Sequence, residues 1–226
     1  MKVLVSAGLA LGLLVAAQGA RAADLSVAPL YKAPPAPSPA YNWSGFYLGL
    51  NGGGGWGDSR WQGLGRVDTS GGQAGGTAGY NWQLGRGVVG LEGDMDWSGL
   101  RGSSAIAACP GGNCSTSSTW LSTVRGRIGY AFDRFMPYFT GGVAVGDIHA
   151  GAPGVPGASN TTAGWTVGGG VEFALPGNWS AKAEYLHIDL GDFNCGTDCG
   201  GKPNQNVSLR ENVFRAGVNY HFGWGK

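Results

Sequence analysis

Charged side chains are scarce in this chain: Asp, Glu, Lys and Arg make up 13% of its 226 residues, about half the ~25% usual for globular domains. An ordinary water-facing surface is therefore not available. Long hydrophobic runs are also missing, apart from Val3 to Ala17 near the amino-terminal end. No later segment reads as a transmembrane helix, so a mature chain embedded in a bilayer has to close into a barrel. No Gly-X-Y period exists, which excludes collagen. Glycine (45 residues) and proline (11) are abundant, and without a repeat such a share suggests disorder. The aromatics argue against that, because 9 Trp, 8 Tyr and 8 Phe supply bulk that a disordered chain lacks.

The apolar run follows Lys2 and leads to Ala20-Arg21-Ala22. A basic start, a short apolar stretch and an A-x-A site read as a secretory signal peptide over residues 1–22, and the run is too short for a spanning helix. Its removal takes away Lys2 and Arg21, leaving 13 basic against 14 acidic residues. Nothing in that balance favours nucleic acid. Residues 23–41 carry Pro29, Pro34, Pro35, Pro37 and Pro39 and read as an extended periplasmic linker. From residue 42 to residue 226 the composition turns glycine-rich, aromatic and alternating, which marks the folded domain.

Parity identifies its elements, because alternate residues of a strand point to opposite faces. Val89, Leu91, Met95 and Trp97 share one face, and Glu92, Asp94 and Asp96 share the other. Trp120, Val124, Ile128, Tyr130 and Phe132 likewise oppose Thr123, Arg125, Arg127 and Gly129. The same period of two runs through 46–51, 77–82, 137–145, 165–173, 179–185 and 214–222. Leu186 and Ile188 break it near the end of the seventh strand. Eight strands result.

Connections alternate in length. Short links at 83–87, 133–134 and 175–178 alternate with long ones at 56–72, 98–119, 149–161 and 190–208. That alternation fits an all-β, eight-stranded antiparallel up-and-down transmembrane β-barrel, with short periplasmic turns and long extracellular loops. Side-chain size then orients the faces. An eight-stranded interior is just wide enough for side chains to fill, so the bulky apolar face belongs outside, in lipid. Turning Arg125, Arg127 and Arg215 to lipid instead would cost roughly 2–4 kcal/mol each. Trp43, Trp82 and Trp179 near the inner strand ends, and Trp56, Trp97 and Trp120 near the outer ends, suggest two aromatic girdles.

Several motifs resemble a known family. Trp43-Ser44-Gly45-Phe46-Tyr47-Leu48-Gly49-Leu50-Asn51, Gly79-Tyr80-Asn81-Trp82, Val89-Gly90-Leu91-Glu92-Gly93-Asp94, Arg125-Gly126-Arg127-Ile128-Gly129-Tyr130, Pro137-Tyr138 and Arg215-Ala216-Gly217-Val218-Asn219-Tyr220 are similar to the small outer-membrane immunogenic proteins of alphaproteobacteria. These are opacity-like barrels often labelled as porins. The resemblance spans residues 24 to 222. It implies export to the bacterial outer membrane and partners in the lipid bilayer, lipopolysaccharide, the barrel-assembly machinery and a host or surface ligand at the loops. It also implies an assembly signal on the last strand, at Tyr220 and Phe222. Members typically end on that aromatic residue, whereas here Gly223-Trp224-Gly225-Lys226 follows, so Phe222 and Trp224 compete for the role.

Within the barrel the lumen-facing charges are Glu92, Asp94, Asp96, Arg125, Arg127, Glu172, Lys182, Glu184 and Arg215. Counted from the short turns, Glu92 and Arg127 lie at similar heights on adjacent strands, as do Glu184 and Arg215. Charges away from water persist only when paired and hydrogen-bonded, so an ion-pair network that plugs the interior is expected. A thin watery channel for small solutes is the alternative.

No catalytic constellation emerges. Asp94 and Asp96 merely share a strand face. The glycines at 72–79 and 168–170 lack the helix that a phosphate-cradling loop needs. His149, His187 and His221 are dispersed, with haem capture by His149 or His187 at the outer rim as the sharper alternative. No cofactor and no enzymatic activity are expected. Cys109 with Cys114 and Cys195 with Cys199 suggest two local disulfides, because the periplasm is oxidising and both stretches form turns. A zinc site using all four thiolates is the alternative. The reading is a structural barrel that supports the envelope and displays its loops.

Overall fold

The structure is a computed structural model that describes residues 41–107, 109–194 and 206–223. The signal peptide, the linker up to residue 40, the Cys195 and Cys199 pair and Trp224 lie outside the described residues. Eight strands follow one another: β1 (Gly45–Trp61), β2 (Gly65–Leu84), β3 (Gly87–Ala105), β4 (Asn113–Tyr130), β5 (Phe135–Gly151), β6 (Ala158–Ala174), β7 (Trp179–Asn194) and β8 (Asn206–Gly223). Each pairs antiparallel with the next, and β8 pairs with β1 to close the barrel. Closure leaves no unpaired edge, which a strand in hydrocarbon cannot tolerate.

The faces fall as parity requires. Trp97 and Phe139 point outward with about three quarters of their surface exposed, while Arg125 and Glu172 are fully buried in the interior. Leu48, Leu50, Val89, Leu91, Ile128, Val143, Val167 and Phe214 complete an apolar outer band. Inward glycines let the backbone coil tightly. A Cβ at Gly53 would come within 2.1 Å of the Phe214 carbonyl oxygen, so only glycine permits that approach.

The strands are longer than the alternation of the apolar band suggests. The long loop expected at 56–72 is instead a hairpin whose ladder continues through Asp58↔Asp68 and Arg60↔Arg66 to Trp61↔Gly65. The loops expected at 98–119, 149–161 and 190–208 shrink likewise, because β3 to β8 all extend into them. The physical reason is an inversion of polarity. Above the outer girdle water lies outside the barrel rather than lipid, so Trp61, Val67, Ile148, Val207 and Leu209 turn inward. Asp58, Arg60, Arg66, Asp68 and Arg210 occupy the outward positions. Leu186 and Ile188 do not break the β7 pattern. They keep its register and enter this upper core.

Three register slips mark the same height: Trp97/Leu100 between β3 and β4, Ser117/Leu121 between β4 and β5, and Asp189/Asp192 between β7 and β8. Bulges strand backbone N–H groups, and here side chains accept from them. The Leu100 N–H donates to Ser98 Oγ at 3.3 Å. Those of Thr119 and Trp120 donate to Asp147 at 2.8 and 2.9 Å. The Gly191 N–H donates to Asp189 at 2.9 Å.

Candidate functional site

The barrel interior is stacked in three layers. At the periplasmic end Trp43, Val88, Ala131, Met136 and Ala174 form an apolar floor. Trp43 was expected in the inner girdle, but it is fully buried in the barrel mouth. It precedes β1 rather than belonging to it. Its indole N–H donates to the Asp133 carbonyl at 3.0 Å and its backbone N–H to Gln83 Oε1 at 2.7 Å, which folds the entering chain under the barrel.

Above the floor lies the ionic layer, and it gathers all nine lumen charges read from the sequence. Arg125 donates to Glu92, to Asp94 at 2.8 Å and to Glu184 at 2.7 Å. Arg215 reaches Asp94 at 2.9 Å, Asp96 at 2.6 Å and Glu184 at 2.8 Å. Arg127 bonds Glu172 at 2.7 Å, and Lys182 bonds Glu92 at 3.0 Å. The expected pairing of Glu184 with Arg215 is a direct cross-strand pair. Glu92 and Arg127 also come within ion-pair distance, one side-chain step apart in the ladder, where Arg125 stands opposite Glu92 and Arg127 opposite Gly90. Arg127 touches Glu92 only at 3.6 Å and sends its main bond across the barrel to Glu172. Counting residues from a turn fixes height only to within one cross-strand step.

Polar side chains that the charge count overlooked complete the layer. Tyr47 donates to Glu92 at 2.8 Å and accepts from Arg127 at 3.0 Å. Tyr138 lies under the Arg127 guanidinium, 4.1 Å from ring centre to carbon, in cation–π contact. Thr123 donates to Asp94, and Ser180 and Asn219 donate to Glu172. The signal was present, because Tyr47 and Tyr138 fall on the polar face by parity. They were hidden by their bulk.

Ser180, His221 and Glu172 come together, with Ser180 Oγ 2.9 Å from His221 Nε2. The Glu172 carboxylate lies against that same nitrogen at 3.4 Å, while Nδ1 has no partner. A triad needs its acid on the far nitrogen, orienting the base. All three groups are also buried, with His221 packed against Trp43 of the floor.

The third layer is the upper apolar core, which includes Leu121, Ile148, Leu186, Ile188, Leu190 and Val213. Cys109 and Cys114 form a disulfide inside it, beside the short helical turn Pro110–Gly112. His149 pairs with Asp147 at 2.7 Å, and His187 packs at a tilt against Trp165 and contacts Asn212, so both are held by their own neighbours. On β8, Tyr220 packs edge to face against Phe222 and against Trp179, and Phe222 lies tilted against Phe46.

A family model described as outer membrane protein beta-barrel domain matches residues 7–222. The 31 kDa outer-membrane immunogenic protein of Brucella melitensis is 38% identical, over 91% of this chain and 95% of that one. The 22 kDa outer membrane protein of Rhizobium leguminosarum bv. viciae is 34% identical, over 81% of this chain and 80% of its own. Among solved structures, Neisserial surface protein A aligns with a TM-score of 0.47 at 20% identity, covering 79% of this chain and 98% of that one. The chain thus belongs to the outer-membrane β-barrel family that includes the immunogenic proteins of alphaproteobacteria, and its place is the bacterial outer membrane.

Proposed function

We propose that this protein is a sealed, non-catalytic barrel that contributes to envelope integrity and presents its outer hairpins for surface contact. The layered lumen carries this reading. An apolar floor, an ionic layer in which each charge has an opposite partner, and an apolar upper core follow one another along the axis. The guanidiniums of Arg125, Arg127 and Arg215 are at most 1% exposed, which leaves them without a water column. An ionic layer of this kind ties β3, β4, β6, β7 and β8 together across the barrel and so resists collapse of the cylinder. Tyr220 and Phe222, outward on the closing strand, serve in the same proposal as the assembly signal.

Planar-bilayer conductance tests it. The folded full-length protein is expected to give no steady openings at any voltage that the bilayer survives. Stable openings that pass sugars would replace the sealed barrel by a narrow porin.

A further inference from the structure

The ionic layer is short of positive charge on one side. Arg127 makes its short pair with Glu172, against which His221 also stands, and reaches Glu92 only at 3.6 Å. The remaining bases, Arg125, Lys182 and Arg215, face Glu92, Asp94, Asp96 and Glu184, so three positive charges meet four carboxylates. The shortfall falls on Asp96, which has no base of its own. A single Arg215 nitrogen, Nη1, donates to Asp96 Oδ2 at 2.6 Å and to Asp94 Oδ1 at 2.9 Å, while Nη2 of the same guanidinium lies 2.8 Å from Glu184. The other Asp96 oxygen, Oδ1, is buried without a partner.

Its neighbours repeat that condition. Gly75 on β2 pairs with Asn51 on β1 and with Asp96 on β3, and Gln73 is the next inward residue of β2. Gly75 carries no side chain to separate the three, and Asp96 Oδ1 leans over the place where its Cβ would stand. Asn51 borders the same carboxylate. Asn51 Nδ2 donates to Thr77 at 3.0 Å, which leaves its Oδ1 without a donor, and the Gln73 amide has no partner at either end. Asn51, Gln73 and Asp96 are 7%, 5% and 1% exposed. A buried acceptor without a donor costs stability, and a carboxylate oxygen costs most. A neutral donor would satisfy the oxygens but leave the charge of Asp96 uncompensated.

We propose that Asp96 Oδ1, Asn51 Oδ1 and Gln73 Oε1 hold an alkali-metal cation, enclosed as the barrel closes. One carboxylate and two amide carbonyls form an all-oxygen donor set, which suits hard cations rather than the transition metals that favour imidazole or thiolate. Carbonyl oxygens replace the hydration shell of alkali ions in the same way. One positive charge makes up the one that is missing, whereas a divalent ion would overshoot it. The site rests on the sealed reading of the lumen, because an open water column would let any cation screen Asp96. Conductance tests that reading separately, so a closed barrel without cation selectivity rejects only the site.

Urea unfolding of the full-length protein in lipid vesicles reads the bound ion, with heat-modifiable migration as the check on folding. The probes are sodium, potassium and tetramethylammonium chloride at matched ionic strength, with divalent ions chelated. Tetramethylammonium carries the charge but is too wide to sit among side-chain oxygens. A cation held only by the folded state stabilises it by mass action, so the unfolding constant should be at least about tenfold larger in tetramethylammonium than in the better alkali salt. Asp96→Asn should abolish that difference and be no less stable than the wild type in tetramethylammonium, since it removes the uncompensated charge. A merely structural loss would instead lower stability in every salt alike. Gln73→Met keeps the length of the side chain but removes one oxygen, and should shrink the difference at least about threefold. Asp58→Asn, at an outward carboxylate, should keep it whole. Equal stability of the wild type in all three salts would overturn the proposal. So would a salt difference that survives undiminished in folded Asp96→Asn or in folded Gln73→Met.

Discussion

Arg125→Met is expected to lower the unfolding free energy of the barrel by about 3–5 kcal/mol, the cost of breaking a buried ion pair from one side. Methionine keeps most of the length of the side chain, so the loss is electrostatic rather than a cavity. Arg125 donates to Glu92, Asp94 and Glu184, and its removal leaves three bases facing five carboxylates in the layer. Arg215 still holds Asp94 and Glu184, and Lys182 still holds Glu92, so the barrel should close but unfold earlier. The urea midpoint in lipid vesicles measures this. Adding Glu92→Gln to Arg125→Met should return part of the loss, because contacting residues are not additive. A midpoint unchanged by Arg125→Met would show that the layer contributes nothing to stability.

Glu211→Gln should act in the opposite direction, and only above mild acidity. Glu211 turns inward on β8 opposite Gly57 and Ile188, above the membrane band, and one of its oxygens has no partner. Burial, and secondarily the charge of Asp147, push its carboxyl up from 4.5 to about 7. An acid whose folded value is raised binds more protons folded than unfolded, so stability falls as pH climbs from about 4.5 to about 7 and is level beyond. The shift corresponds to about 3 kcal/mol. Glu211→Gln should therefore stabilise the barrel by up to about that amount at pH 8 and leave it unchanged at pH 4. Stabilisation of equal size at both pH values would show that the gain does not come from ionisation.

The membrane-embedded half of the fold is legible in the sequence because lipid outside and charge inside make alternation unambiguous. Val89 to Trp97 and Val124 to Phe132 need no further information to place Glu92, Asp94, Arg125 and Arg127 in the lumen. The upper half is legible only to a reader who lets the sign of the pattern change. At Asp58, Arg66 and Arg210 the polar residues face out, and at Trp61, Val67 and Leu209 the apolar ones face in. A rule that equates apolar with outward therefore reads continuous strands as loops. Bulges at Trp97/Leu100 and Asp189/Asp192 further shift the count at the crossover. Trp43 was misplaced for a different reason. Its burial depends on bonds to Gln83 and Asp133, some 40 and 90 residues away, which local periodicity does not encode.

The ionic layer shows the same division. Its members were legible from parity, and so was the Glu184–Arg215 pair, whereas the full set of partners was not. Arg127 makes its hydrogen-bonded pair with Glu172 on β6 across the barrel, and only a longer one with Glu92 beside it. Such a contact depends on barrel diameter and on how far each guanidinium reaches, and neither is written in the spacing of one strand.

Nitroxide accessibility at adjacent positions of β8 tests the inversion most directly. In a background whose own cysteines are serine, labels are placed at Leu209 and Arg210, with Leu50 and Ile128 as membrane references. The account predicts that oxygen dissolved in lipid reaches labels at 50 and 128. An aqueous nickel chelate should reach the label at 210, and neither reagent should reach the one at 209. A label at 209 open to the aqueous reagent beside a shielded one at 210 would contradict it, because the two faces would then not exchange roles where the barrel leaves the bilayer.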